Sequence, residues 1–320
     1  TTSSQARLTW HVRQGETWGA LQQEGGAAFE LTTNFRAACV GTTTGWTLAW
    51  GKPDFVTEAD VAKVLTLTQA GVANGEPTAL SSTEGDPASS PALALLPDGD
   101  VVAAFTSYTV DGDGAGVALR RFAADGTPKG DNVRVNDLAL GDQANPALVV
   151  AGDRVMVAWT TTPPPASSDD PVLSRLVCSA RDVTLAAASA NKDCSNNLYD
   201  FGQPTLASFG QGEDLSFLLA MRVEGRADDP GEGVYITSLT TSGQPVTGVI
   251  ELPLAMEQGN DQDQPLFSSV LGGTFVTFRS DHAAANTYDL TLVAVDEQAT
   301  FANVRVVRDV DEHARATFAW

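Results

Sequence analysis

Three residue types in this sequence can do chemistry: histidine, aspartate and cysteine. Histidine changes charge near neutral pH and ligates transition metals. The chain has three, His11, His282 and His313. Each falls in a polar connection between apolar runs, so three imidazoles meeting at one place can hold a transition metal. One of them beside Asp281 or Asp311 can instead act as a general base. The competing reading is three solvated histidines scattered over long loops.

Carboxylates outnumber cations, 40 Asp+Glu against 19 Lys+Arg, for a net charge of -21. Asp111-Gly-Asp113-Gly, with Asp142, is the local candidate for calcium, a hard cation that takes many oxygen ligands. It lacks the spacing and distant Glu of a D-x-[DN]-x-[DN]-G loop, so an EF-hand is excluded. Aspartate is also an ordinary turn residue. A wider acidic set (Asp54, Asp169, Asp170, Asp228, Asp229, Asp261, Asp263 and Asp281) sits in the long connections. Arg36 and Arg315 accompany it, able to take an anionic group. Such a surface repels nucleic acid and anionic lipid. The sequence has no phosphate-cradling glycine loop before a helix, no G-x-S-x-G elbow and no Cys–His pair, which argues against a nucleotide or organic cofactor. No apolar run approaches the ~18 residues of a membrane span, so membrane insertion is not expected.

Cys178 and Cys194 lie in one polar hairpin region and can pair, a closure worth roughly 3 kcal/mol. Cys39 sits in an apolar stretch and reads as a buried thiol. The polar start Thr1-Thr2-Ser3-Ser4-Gln5 reads as a mature or trimmed form. Together these favour an exported protein.

The elements that must position these residues follow from a repeat. A Pro opens an apolar run, a Gly-containing turn follows, and a second apolar run ends in a large residue. Pro91, Pro146, Pro204 and Pro265 open such units, and a copy without Pro begins near Ala37. Two further strand-like runs follow each one, so every unit is a four-stranded antiparallel sheet. The second strands end at Trp50, Phe105, Trp159, Leu219 and Phe278, a period of roughly 55–60 residues that suits a propeller blade. Ala6–Trp10, Trp18–Gln22 and Ala28–Leu31 supply strands b, c and d of a sixth blade, and 314–320 supplies its strand a. The expected fold is therefore all-β, a single six-bladed β-propeller over 1–320, with blades at 314–320 plus 1–33, 34–85, 86–140, 141–200, 201–260 and 261–313. Joining the two ends in one blade removes exposed strand edges.

Short turns join a to b and c to d. The b–c and d–a connections are long, and long connections on a rigid scaffold are where binding sits. All three histidines and the acidic set map to that face. Trp10, Trp50 and Trp159 end strands b, as sugar platforms or as packing between blades.

Residues 91–146 resemble blade-like repeats of large bacterial surface and secreted proteins that accompany RTX (hemolysin-type) calcium-binding proteins. The matching residues are Pro91-Ala-Leu, Leu96-Pro-Asp-Gly-Asp-Val-Val, Asp111-Gly-Asp-Gly-Ala-Gly-Val, Arg121-Phe-Ala-Ala-Asp-Gly-Thr-Pro, Val133-Arg-Val-Asn136 and Gly141-Asp-Gln-Ala-Asn-Pro146. The resemblance implies an extracellular or cell-surface role (a periplasmic one as the variant) in adhesion or recognition, and it transfers no catalytic residue. The first expectation is thus a monomeric, non-enzymatic recognition propeller that binds a glycan or protein through its acidic face with structural calcium, alone or within a larger surface protein. The alternative is an enzyme on the same face, either a sialidase-like glycoside hydrolase or a metal-dependent enzyme using the histidines.

Overall fold

The computed structural model describes residues 5–6, 9–10, 13–14, 17–18, 22–23, 29–30, 36–51, 62–164, 173–195, 200–224, 233–246, 248–252, 262–270, 273–281, 288–296 and 299–310. The chain divides into two compact units, Thr1–Val135 and Asn136–Trp320.

The first unit opens with six two-residue strands. β1 (Gln5–Ala6) pairs with β6 (Phe29–Glu30), β2 (Thr9–Trp10) with β5 (Gln22–Gln23), and β3 (Arg13–Gln14) with β4 (Thr17–Trp18). This corrects the expected sixth blade: five four-stranded sheets are present among the described residues, not six. The run Ala6–Trp10 divides its pairing between two partners, and Trp18 turns back onto Arg13. Polar residues such as Arg13, Gln14, Gln22 and Gln23 fill the paired positions, and they support a long half-buried ladder poorly. Residues 314–320, the expected first strand of that blade, lie outside the described residues.

Blade I follows, with β7 (Arg36–Gly41), β8 (Gly45–Gly51), β9 (Lys63–Thr68) and β10 (Thr78–Ala79). Blade II has β11 (Ser89–Leu95), β12 (Val101–Ser107), β13 (Gly116–Phe122) and β14 (Pro128–Arg134). Both are antiparallel meanders in sequence order. Ala49, Val64 and Leu80 of blade I pack against Ala103, Phe105 and Phe122 of blade II, and the first strands β7 and β11 run side by side.

The second unit repeats the plan three times. Blade III has β15 (Asp142–Ala151), β16 (Arg154–Thr162), β17 (Arg175–Asp182) and β18 (Lys192–Asp193). Blade IV has β19 (Asp200–Phe209), β20 (Ser216–Glu224), β21 (Gly233–Leu239) and β22 (Ile250–Glu251). Blade V has β23 (Gln262–Val270), β24 (Gly273–Asp281), β25 (Tyr288–Val295) and β26 (Phe301–Val310). Met156, Leu176 and Cys178 of blade III meet Phe217, Leu219 and Met221 of blade IV. The far face of blade IV, with Leu218 and Ile236, meets Val276, Phe278 and Val293 of blade V. The first strands β15, β19 and β23 are again neighbours. Four-stranded meanders stacked face to face with their first strands together are the propeller arrangement.

The repeated prolines have a structural reason. Four first strands carry a bulge at Ser90–Pro91, Asn145–Pro146, Gln203–Pro204 and Gln264–Pro265. A bulge leaves one residue without a ladder partner, which suits Pro because it has no N–H to donate. The residues opposite are Phe105, Trp159, Met221 and Phe278, all buried. Trp50 and Trp159 are 2% and 1% exposed, so both are packing residues rather than sugar platforms.

Cys178 and Cys194 form a disulfide that ties β17 to the end of β18. Cys39 departs from expectation: it is exposed on β7. Its side chain alternates with Ala38 and Val40, and it takes the face that blade II does not cover. The surrounding sheet still desolvates the thiol and pushes its pKa up to about 11.

Candidate functional site

In the first unit the connection into blade II is anchored by a fully buried carboxylate. Asp86 Oδ2 accepts from Ser81 Oγ at 2.6 Å and Ser107 Oγ at 2.7 Å, and its Oδ1 accepts from Tyr108 N at 3.1 Å. Asn132 closes the network by donating to Ser81 Oγ at 2.7 Å and accepting from Ser82 N at 2.9 Å. Asp86 therefore locks the d–a connection onto the end of strand b. It is sealed from solvent and acts as scaffold.

The loop Asp111-Gly-Asp113-Gly stands beside it. Asp111 Oδ1 accepts from Asp113 N at 3.2 Å. A Cβ at Gly116 would lie 2.6 Å from Asp111 Oδ2, so this carboxylate folds back over the start of β13. Gly112 and Gly114 hold φ of 87° and 70°, a region that side chains rarely adopt. Asp111 thus braces its own turn.

In the second unit the acidic residues follow a register. Each first strand has Asp four residues before its bulge proline: Asp142 before Pro146, Asp200 before Pro204 and Asp261 before Pro265. Asp142 and Asp200 are the first residues of the neighbouring strands β15 and β19. Asp142 pairs with Thr162, and Asp200 stands directly opposite Glu224 at the end of β20. Like charges placed opposite each other on a sheet are destabilising. In blade V, Asp263 stands opposite Arg279 and Asp281 opposite Tyr288. Sequence reading missed Glu224, because it ended this second strand near Leu219 whereas β20 runs on to Glu224.

The remaining expected residues separate clearly. Arg36 begins β7 and pairs with Gly51. His11, His282, His313, Asp54, Asp169, Asp170, Asp228, Asp229, Asp261 and Arg315 lie outside the described residues. Among the described residues, no three His, Cys, Asp or Glu side chains group to hold a metal ion. None of the described helices is long and apolar enough to cross a membrane.

The opposite end of blade II carries a compact ion cluster. Arg121 bonds both Asp98 and Asp100, the latter at 2.5 Å, and Lys129 Nζ reaches Asp100 at 2.7 Å. Burial works against the Asp100 carboxylate, but the bonds from Lys129 and Arg121 outweigh it and hold its pKa below the usual carboxylate range. Both acids here are paired with a cation, and the cluster clamps the a–b turn to strands c and d.

Neither a protein-family model nor a curated protein matches this sequence. Solved structures do match in fold. A protein of unknown function from Dyadobacter fermentans superposes with TM-score 0.55 at 10% identity, over 86% of this chain and 94% of that one. A Bacillus subtilis levansucrase mutant gives TM-score 0.51 at 9% identity, over 89% of this chain and 88% of that one. A thermostable family-43 glycoside hydrolase gives TM-score 0.51 at 10% identity, over 88% and 94%. At such identities the likeness shows the fold alone. This chain has an all-β propeller fold built of four-stranded antiparallel blades.

Proposed function

We propose that the protein is an exported, carbohydrate-active propeller that cleaves glycosidic bonds with carboxylates at the leading ends of its first strands and at the facing end of a second strand. The observation that carries this reading is the register of Asp142 and Asp200 on neighbouring strands, with Glu224 opposite Asp200. Glycoside hydrolysis needs one carboxyl group to protonate the leaving oxygen and a second to attack the sugar or activate water, roughly 5–9 Å apart. Directly opposed residues in an antiparallel pair keep their Cβ atoms roughly 5 Å apart. Asp200 and Glu224 are assigned to this pair, and Asp142 to holding the sugar beside them. Two of the fold neighbours are carbohydrate enzymes by name, a levansucrase and a family-43 glycoside hydrolase, which supports a glycan as the ligand. The Cys178–Cys194 disulfide supports an oxidising compartment.

The test is release of reducing sugar from a panel of furanose and pyranose oligosaccharides. Asp200→Asn and Glu224→Gln are each expected to lower the rate by roughly 10²–10⁴-fold, with a melting temperature no lower than wild type because the like-charge repulsion is relieved. If wild-type protein binds members of the panel without cleaving any, the chain is a recognition module and the catalytic assignment fails.

A further inference from the structure

The connection into blade III is held rigid by buried amides, yet it turns its leucines outward. Asn136 and Gln143 are 3% and 1% exposed. Asn136 Nδ2 donates to Leu138 O at 2.6 Å and to Gln143 Oε1 at 2.7 Å. Gln143 Nε2 donates to Gly141 O at 2.8 Å and Leu140 O at 3.2 Å. Folding this loop inward would break bonds made by groups with no access to water, so the backbone is fixed. Leu138 and Leu140 are nonetheless 77% and 67% exposed, whereas Leu80, near the corresponding connection of the first unit, is fully buried. Leu173, in the b–c connection of the same blade, is 40% exposed. Its neighbour Ser174 bonds Thr162, the register partner of Asp142. Three leucines therefore mark one end of one blade.

Carboxylates flank them. Asp137 and Asp142 are exposed on either side of the leucine loop. The connection carrying Leu173 has Asp169 and Asp170 in its sequence. Arg175, opposite Thr161, is a cation at the same edge, outnumbered by these acids. Leucines offer no flat ring for stacking on a sugar, so the surface suits apolar side chains of a polypeptide better than a glycan.

We infer that this end of blade III docks a basic polypeptide segment, seating apolar side chains on Leu138 and Leu140 and its Lys or Arg on Asp137 and Asp142. The preformed loop loses little freedom on binding, which favours affinity. The patch shares Asp142 with the proposed glycan site, but peptide binding and sugar release are read separately, so either can fail without the other.

The probe is a short fluorescent Lys/Leu peptide, compared with a Glu/Leu peptide of the same length and leucine spacing, followed by anisotropy with the whole chain. The Lys/Leu peptide is expected to bind and the Glu/Leu peptide not to. A Leu138→Ser/Leu140→Ser variant is expected to weaken binding by about tenfold or more without moving the melting temperature. Should that variant fold poorly, Leu140→Gln alone carries the same comparison. Unchanged binding by a folded variant would reduce the effect to bulk charge and overturn the inference. So would failure of the Lys/Leu peptide to bind. A concentration-dependent dimer that the leucine variant abolishes would assign the patch to a second copy and overturn the basic partner.

Discussion

At the scale of single residues, the two best-described carboxylates illustrate opposite solutions to burial. Asp86 is buried and bonds no cation among the described residues; two hydroxyls and one backbone N–H satisfy it. Removing it strands two buried hydroxyl donors, each costing about 1–3 kcal/mol, and a part-buried backbone N–H. Asp86→Ala should therefore lower stability by about 3 kcal/mol or more, read as a lower urea midpoint at unchanged slope. Asp100 instead relies on Arg121 and Lys129, which hold its pKa below that of an unfolded aspartate. A depressed folded-state pKa contributes stability above the unfolded value, about 3.9, and that contribution fades as pH falls through the folded pKa. Asp100→Asn should thus be less stable than wild type at neutral pH. The gap between the two should narrow below about pH 4, as followed by thermal melts from neutral to acid. A gap that stays constant through the acid range would separate the ion cluster from acid stability.

At the scale of elements, the four-stranded period was legible because each strand pair ends in turn chemistry and each first strand advertises itself with proline. The bulge those prolines mark was not legible, and it decides the site. Counting residues from Pro204 without the bulge shifts the partner of Asp200 by one position, so Glu224 never faces it on paper. The N-terminal runs misled for a related reason. Ala6–Trp10 and Trp18–Gln22 have strand-like composition, but composition does not choose a partner, and the short polar ladders closed on one another. The sequence left the cysteine pairing open as one that Cys178 and Cys194 can make, and the structure makes it. The disulfide joins two strands of one blade across a separation of 16 residues, so reducing it should cost roughly 3 kcal/mol. Melting with and without dithiothreitol measures this, and Cys39→Ser, which leaves the bond intact, should show the same dependence on reductant as wild type.

At the scale of the whole molecule, the net charge of -21 constrains which glycans can reach a carboxylate site. The chain's field repels polyanions over about a Debye length, roughly 10 Å at 0.1 M salt and 30 Å at 0.01 M. A neutral glycan feels none of this, so its binding should change little between low and moderate ionic strength. A uronate polymer or sulfated glycan meets the repulsion in full at low salt and much less of it when screened. If the carboxylates at the first-strand ends form the site, the polyanion should bind only weakly in dilute buffer and gain affinity as sodium chloride is added. Titrations of one neutral and one uronate oligosaccharide at several salt concentrations make the comparison. A uronate ligand that binds tightest at low salt would mean that cationic side chains, not these carboxylates, take the ligand.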